Sequence, residues 1–234
     1  MWRYCSRFLN SYGNHKMGLG GLIRECLDLL LPNTCTLCGE ITGQLCCRTC
    51  FQHIPIAIST ERQLLGIDSV ITLCEYTEEM RQLLTYIKFD RNRLLAQEVA
   101  CYLATIVKIW PWHGALFIPV PISKQRYRKR GFNHVDLLFS EIVSQFSLDY
   151  GPVIMRDVDT PALFGRSRDE REQLLQGAFS CPDDGVRVQG RHVVIGDDIL
   201  TSGATLRELA QVCHAYGATS VSALCIAEVY DDLY

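Results

Sequence analysis

The sequence has no long uncharged apolar run, no surplus of basic residues and neither of the two common nucleotide-binding glycine motifs. Its most apolar early stretch, MGLGGLIRECLDLLLP, is interrupted by Arg24, Glu25 and Asp28. It therefore falls short of the roughly 18–20 uncharged residues of a membrane helix, and no membrane insertion is expected. A formal net charge of −3 over 234 residues provides no global attraction for nucleic acid or an anionic membrane. Any such surface has to be a local patch. G-x-G-x-x-G and G-x-x-x-x-G-K are both absent, which argues against a Rossmann dinucleotide site and a Walker phosphate loop. The opening MWRYCSRFLNSYGNHK is followed by no apolar core or small-residue cleavage site, so a secretory leader is not expected and the reading is a cytoplasmic protein.

What is present is an ordinary globular composition, 48% hydrophobic, long enough for one domain of about 150–200 residues plus an appendage. The expected organisation has three parts. Residues 1–16 form a flexible extension, or Met17 is an alternative start. Residues 17–60 form an N-terminal helix and a small metal-binding module, and residues 61–234 an α/β domain.

Twelve cysteines are many where disulfides are scarce. Cys101, Cys213 and Cys225 sit in apolar patterns and read as core. Cys35, Cys38, Cys46, Cys47 and Cys50 instead crowd into CTLCGEITGQLCCRTC. Cys35-x-x-Cys38 and Cys47-x-x-Cys50 are two knuckles that can offer four thiolates to a tetrahedral zinc ion, with Gly39 and Gly43 easing the backbone. Four thiolates close the coordination shell, so such a zinc is structural; a redox pair is the competing reading. Cys46 is a spare or alternative ligand, and His53 a surface histidine.

Farther on, TEEMRQLLTYIKFD places Met80, Leu83, Leu84 and Ile87 at helical spacing behind a capping Thr77. Lys88 falls at that helix's end, where the dipole alone favours a cation. A second helix is expected over about 94–107. ALFIPVP (115–121) reads as a short buried strand leading into SKQRYRKRGFNHV, in which Lys124, Arg126, Arg128, Lys129 and Arg130 form a basic loop before a helix capped by Asn133. The basic run is either a solvated face or, with interleaved aromatics at a strand's carboxyl end, a ligand or single-stranded nucleic-acid contact. Residues 156–176 are charged and lack an apolar stripe. They read as a mobile excursion, a lid or a linker.

The last motif is RHVVIGDDILTSGATLRELA (191–210). A strand from His192, a glycine turn and a helix from Gly203 to Tyr216 put backbone N–H groups at a helix N-terminus, which suits a phosphate. The hydroxyls of Thr201, Ser202 and Thr205 add donors. Asp197 and Asp198 just before it suit the hydroxyls of a sugar joined to that phosphate.

VVIGDDILTSGAT resembles the signature of type I phosphoribosyltransferases. LPNTCTLC with the second CxxC, YIKFD, VPISKQRYRKRGFNH and GAF follow the order seen in the competence protein F (GntX) family, so the likeness runs from about residue 22 onward. The resemblance implies a central, mostly parallel sheet of about five strands flanked by helices, with a zinc-ribbon-like appendage. It implies that the ligand is 5-phosphoribosyl-1-diphosphate, carrying Mg²⁺. Asp197 and Asp198 would bind ribose; Thr201, Ser202, Gly203, Ala204 and Thr205 the 5′-phosphate; Pro121, Ser123 and Lys124, with Lys88 and Arg171, the diphosphate side. It further implies a role linked to DNA uptake, either as a transferase acting on an unidentified acceptor or as a non-catalytic sensor. The sensor would engage single-stranded DNA or a DNA-handling partner such as a DNA-uptake helicase. The chain departs from the family pattern at Leu163 and Leu174, where polar residues are usual.

Overall fold

A computed structural model describes residues 32–158, 168–182, 185 and 187–229, without the side chains of residues 168, 169, 171 and 172. The expected extension, alternative start and N-terminal helix lie outside the described residues, as does Leu163. The chain divides into two compact units, between His53 and Ile54.

In the first unit the cysteine knuckles are built from short-range bonds. Cys35 N–H donates to the Glu40 carbonyl at 2.8 Å and Gly39 N–H returns to the Cys35 carbonyl at 2.8 Å. Thr34 and Ile41 form an antiparallel bridge. The loop closes only because Gly39 and Gly43 take φ of +75° and +71°, a region glycine enters without a Cβ clash. Helix α1 (Arg48–His53) then carries Cys50.

The second unit is a six-stranded sheet. Its strands are β1 (Ile56–Ser59), β2 (Ser69–Glu75), β3 (Leu116–Pro119), β4 (Asp149–Tyr150), β7 (His192–Leu200) and β8 (Ser220–Glu228), in the order β1-β2-β8-β7-β3-β4. All neighbours are parallel except β1 and β2. A separate antiparallel pair joins β5 (Met155–Arg156) to β6 (Phe179–Ser180). The architecture is the mostly parallel, helix-flanked sheet that was expected, with six strands instead of about five. The extra edge strand β1 comes from residues the sequence assigned to the N-terminal module.

The connecting helices follow their signals. In α2 (Glu78–Phe89) the Thr77 side chain accepts from Met80 N–H, and Met80, Leu83, Leu84 and Ile87 are buried. Asn92 caps α3 (Arg93–Ile106) by accepting from Leu95 N–H at 3.0 Å. Lys124–Arg130 departs from expectation: it is a helix, α4, not a loop. Ser123 caps it by accepting from Arg126 N–H, and Gly131 ends it at φ +83°. Helix α5 (His134–Phe146) starts from Asn133, which accepts from Val135 N–H and also donates to the Val120 carbonyl at 3.0 Å.

Within the expected excursion, α6 (Arg168–Leu175) forms and buries Leu175, while residues 159–167 lie outside the description. Helix α7 (Ala204–Ala215) follows β7. Its Leu206, Leu209, Ala210 and Cys213 share a core with Val193, Ile195, Val221, Ala223 and Cys225. On β3, Phe117 meets Phe139 of α5 at 5.2 Å between ring centroids. Gly196 of β7 faces that pair so closely that a Cβ would stand 2.4 Å from a Phe117 ring carbon. Among the described residues, no helix is long and apolar enough to cross a membrane.

Candidate functional site

Parallel pairing sets the site. Pro119 of β3 stands opposite Gly196 of β7, and Leu200 opposite Glu228 of β8. Pro121–Lys124, the acid pair, the 201–205 turn and the end of β8 therefore emerge at one carboxyl edge, where ligands bind in open α/β sheets. Asp197 and Asp198 come before the turn, not in it. They lie within β7, which continues to Leu200.

Asp198 is the hub. Its carboxylate is ion-paired with Lys88 at the end of α2 and meets His134 Nε2, at the start of α5, at 3.2 Å. Arg130, ending α4, approaches His134 Nδ1 at 3.0 Å. A guanidinium only donates, so Nδ1 accepts and the proton sits on Nε2, directed at Asp198. Burial holds the His134 pKa below its usual value against the pull of Asp198, in keeping with that neutral tautomer.

The two aspartates are not equivalent. Burial, and then the charge of Asp198, raise Asp197 well above the usual carboxylate range. Burial would raise Asp198 too, but Lys88 and His134 outweigh it and hold that group far below the range. Asp198 is thus the acid whose charged form the site favours and Asp197 the one whose protonated form it favours, the usual inequality of two carboxyl groups in one site. Asp198 N–H also donates to Asp197 Oδ1 at 2.9 Å.

The turn after β7 is held from outside itself. Arg62, between β1 and β2, donates to the Thr201 carbonyl at 3.1 Å, and Arg207 in α7 donates to the Ser202 carbonyl at 2.7 Å. Gly203 takes φ +73° and no side chain caps α7. A Cβ on Gly203 would lie 2.6 Å from a Leu64 methyl. Arg62 also stands 3.9 Å from the buried Glu228, which accepts from Thr72 Oγ1 at 3.1 Å.

Several assignments from the sequence are modified. Ser123 is buried and spends its hydroxyl on the α4 cap. Lys88 is already paired, so its place at a helix end has a second cause. Lys124 is exposed at the start of α4, and the side chain of Arg171 lies outside the described residues. Sequence reasoning missed His134, Arg62, Glu228 and Thr72. For His134 the only available signal was its position directly after a capping asparagine.

In the first unit, the Sγ atoms of Cys35, Cys38, Cys47 and Cys50 all lie within 4.8 Å of one another. Cys38 and Cys47 are 3.8 Å apart, about the edge of a tetrahedron with metal–sulfur bonds near 2.3 Å. Cys47 N–H donates to Cys35 Sγ at 3.3 Å and Cys50 N–H to Cys47 Sγ at 3.4 Å. Burial would raise Cys35, yet surrounding N–H donors bring its thiol down to about 6. Burial and the neighbouring thiols push Cys50 up. Such a cluster cannot ionise fully alone, and a divalent cation relieves that conflict, so the four residues fit a metal such as zinc. Cys46 is fully buried but stands outside the ligand set, and His53 is exposed.

The structure thus defines a class: a mostly parallel α/β sheet with an acid pair and an open helix N-terminus at its carboxyl edge, in a chain that also carries a four-cysteine module. No protein-family model matches the chain. It is 27% identical over 226 residues to the DNA utilization protein YhgH of Escherichia coli K12, covering 89% of this chain and 96% of that one. It is 24% identical over 221 residues to competence protein F of Haemophilus influenzae, covering 92% and 93%. Competence protein ComFC of Bacillus subtilis is 24% identical over 206 residues, with 87% and 81% covered. The chain is therefore similar, over most of its length, to DNA utilization and competence proteins. Among solved structures, an allosteric regulatory enzyme of purine biosynthesis aligns with TM-score 0.40 and 20% identity, over 61% of this chain and 30% of that one. A Staphylococcus aureus hypoxanthine phosphoribosyltransferase aligns with TM-score 0.33 and 14% identity, over 62% and 76%.

Proposed function

We propose that this protein binds 5-phosphoribosyl-1-diphosphate with Mg²⁺ at the carboxyl edge of β7 and transfers the phosphoribosyl group to an acceptor nucleophile. The observation that supports this most directly is the acid pair of β7 lying just ahead of an α7 N-terminus that no side chain caps. N–H groups there favour a phosphate, while carboxyl groups nearby hydrogen-bond sugar hydroxyls. In this reading Thr201, Ser202, Gly203, Ala204 and Thr205 hold the 5′-phosphate, and Asp197 and Asp198 hold the ribose. Lys124 and Pro121 would line the diphosphate side, with Ser123 shaping that edge as the cap of α4 and Lys88 reaching it through its pairing with Asp198. The acceptor's lone pair forms the new bond at the anomeric carbon as the bond to diphosphate breaks, its electron pair leaving with diphosphate. Mg²⁺, when bound, would neutralise part of the leaving group's charge. Of the two acids Asp198, nearer the phosphate turn, is the candidate for the acceptor's proton, a weak base while Lys88 holds its carboxylate low. In the other unit, zinc on Cys35, Cys38, Cys47 and Cys50 would have no open position and would act structurally.

The test is calorimetric titration of 5-phosphoribosyl-1-diphosphate with Mg²⁺ into the wild type and the Asp197→Asn/Asp198→Asn double variant. Binding by the wild type, weakened at least tenfold in a double variant that remains folded, is the expected result. No binding by the wild type ends the proposal.

A second reading rests on α4. Its basic heptapeptide buries no side chain, and Tyr127 is 53% exposed beside the charges. Together with relatives named for DNA utilization, this favours a non-catalytic adaptor that binds single-stranded DNA or a DNA-handling protein. Release of pyrophosphate that depends on an added base separates the transferase from the adaptor.

A further inference from the structure

We infer that Arg62 is a positioning residue for the phosphate cradle, acting with Arg207 by fixing the direction of two successive peptide groups. This rests on the phosphate site proposed above. In a trans peptide the C=O and the following N–H point in opposite directions, and among the described residues every peptide is trans. Arg62 Nη2 holds the Thr201 carbonyl at 3.1 Å, so Ser202 N–H is turned away from Arg62. Arg207 Nη1 holds the Ser202 carbonyl at 2.7 Å, so Gly203 N–H is turned away from Arg207. The directions of two consecutive N–H donors are thereby each fixed, and successive N–H groups are what backbone nests use to bind anions.

The clamp matters because this turn can flip. Gly203 carries no Cβ and already sits at φ +73°, so rotating the peptide before it meets little steric resistance. A rotated Ser202–Gly203 peptide, the one Arg207 holds, would present a carbonyl oxygen where an anion binds, and a rotation of the adjoining Thr201–Ser202 peptide, the one Arg62 holds, would do the same.

Arg62 is itself held. Its Nη1 stands 3.9 Å from Glu228 at the end of β8, and Glu228 is buried and bonded to the buried Thr72 of β2. Two residues beyond Arg62, Leu64 packs against Gly203. The segment between β1 and β2 thus braces the turn from a position 139 residues away in sequence. Glu228, Arg62 and the Thr201 carbonyl form one line of support from the centre of the sheet to the cradle.

The experiment compares wild type, Arg62→Ala and Arg62→Lys in two measurements. The first is affinity for 5-phosphoribosyl-1-diphosphate with Mg²⁺ and for inorganic phosphate. The second is the position and width of the Ser202 and Gly203 amide resonances in ligand-free protein. The expected result is about a tenfold loss of affinity for Arg62→Ala, the worth of one charge-assisted hydrogen bond. Arg62→Lys should recover part of it. The Ser202 amide should shift and broaden in Arg62→Ala while the amides of Leu209–Cys213 stay in place. A variant that binds like wild type with an unchanged Ser202 amide overturns the inference. If Arg62→Ala fails to fold, Arg62→Lys decides by the same two measurements. A wild type that binds neither compound defeats the proposed function instead, and the Ser202 amide alone then decides whether Arg62 sets the turn.

Discussion

At the scale of single residues, the two aspartates behave as opposites although they are chemically identical and adjacent. Asp198, held low by Lys88 and His134, contributes stability that is present above its unfolded value near 4 and is lost as pH falls through its folded value. Asp197, held high by burial and by Asp198, contributes only below about 4 and opposes folding as pH rises toward its folded value. Asp198→Asn leaves Lys88 and His134 without their shared carboxylate, and should lower stability at pH 7 by about 2–4 kcal/mol, near the usual cost of breaking a largely buried pair. Asp197→Asn should be neutral or stabilising at pH 7–8. Urea unfolding at pH 4, 7 and 8 checks both. The Asp198→Asn deficit should persist from pH 8 down to pH 4, since the contribution is lost only below that, and equal effects of the two substitutions at pH 7 would contradict the inequivalence of the pair.

Residue-level chemistry was only half legible in the sequence. The acid pair and the thiols could be found because their partners are close along the chain, where spacing is visible. His134 and Arg62 could not. Their partners lie 64 and 139 residues away, and no periodicity connects residues that only the folded sheet brings together. Lys88 shows the same limit from the other side: its helix-end position supplied a sufficient local cause and concealed the ion pair.

Among elements, α4 is the instructive error. A run with five basic residues in seven has no apolar stripe, so its helical period leaves no trace in the hydrophobic pattern. The signal was in the punctuation: Ser123 at the cap and Gly131 at the stop bound the helix. By contrast α2 was legible in full, since Thr77 and four buried apolar residues agree on one register. If α4 meets single-stranded DNA as the adaptor reading holds, neutralising the exposed Lys124, Arg128 and Lys129 should weaken binding at low salt. It should also reduce the slope of log affinity against log salt by up to about 2, at roughly 0.7 per phosphate contact. Arg130 is left untouched in that design because it also donates to His134.

At the scale of the whole molecule, the chain is two units of unequal self-sufficiency. The second has a continuous core of helices on a sheet. The first, among its described residues, is a short loop structure built around four thiols, and segments of this size commonly depend on a metal. Zinc removal by a strong chelator should therefore release amide protection over residues 34–53 while leaving β2, β7 and β8 protected, as hydrogen exchange would show. Metal analysis of carefully prepared protein should give close to one zinc per chain. Protection lost together in both units on chelation would contradict this division. The overall class of fold was readable because β7, its turn and α7 form one local unit with a recognisable pattern. The sheet order was not readable, because nothing local says which strand lies beside which.

That order has a consequence for how the protein comes into being. Strand β8 sits between β2 and β7, and its register with β2 brings Ser69 beside Ser222, 153 positions farther on. While a ribosome is still translating, β2 has no parallel neighbour to join, and the sheet stays open until residues 220–228 clear the exit tunnel. The nascent domain must wait with its apolar strands uncovered, a state in which chaperones are most needed and aggregation is most dangerous. A stop codon placed just before Ser220 would accordingly yield an insoluble polypeptide, however much of the sequence it retained.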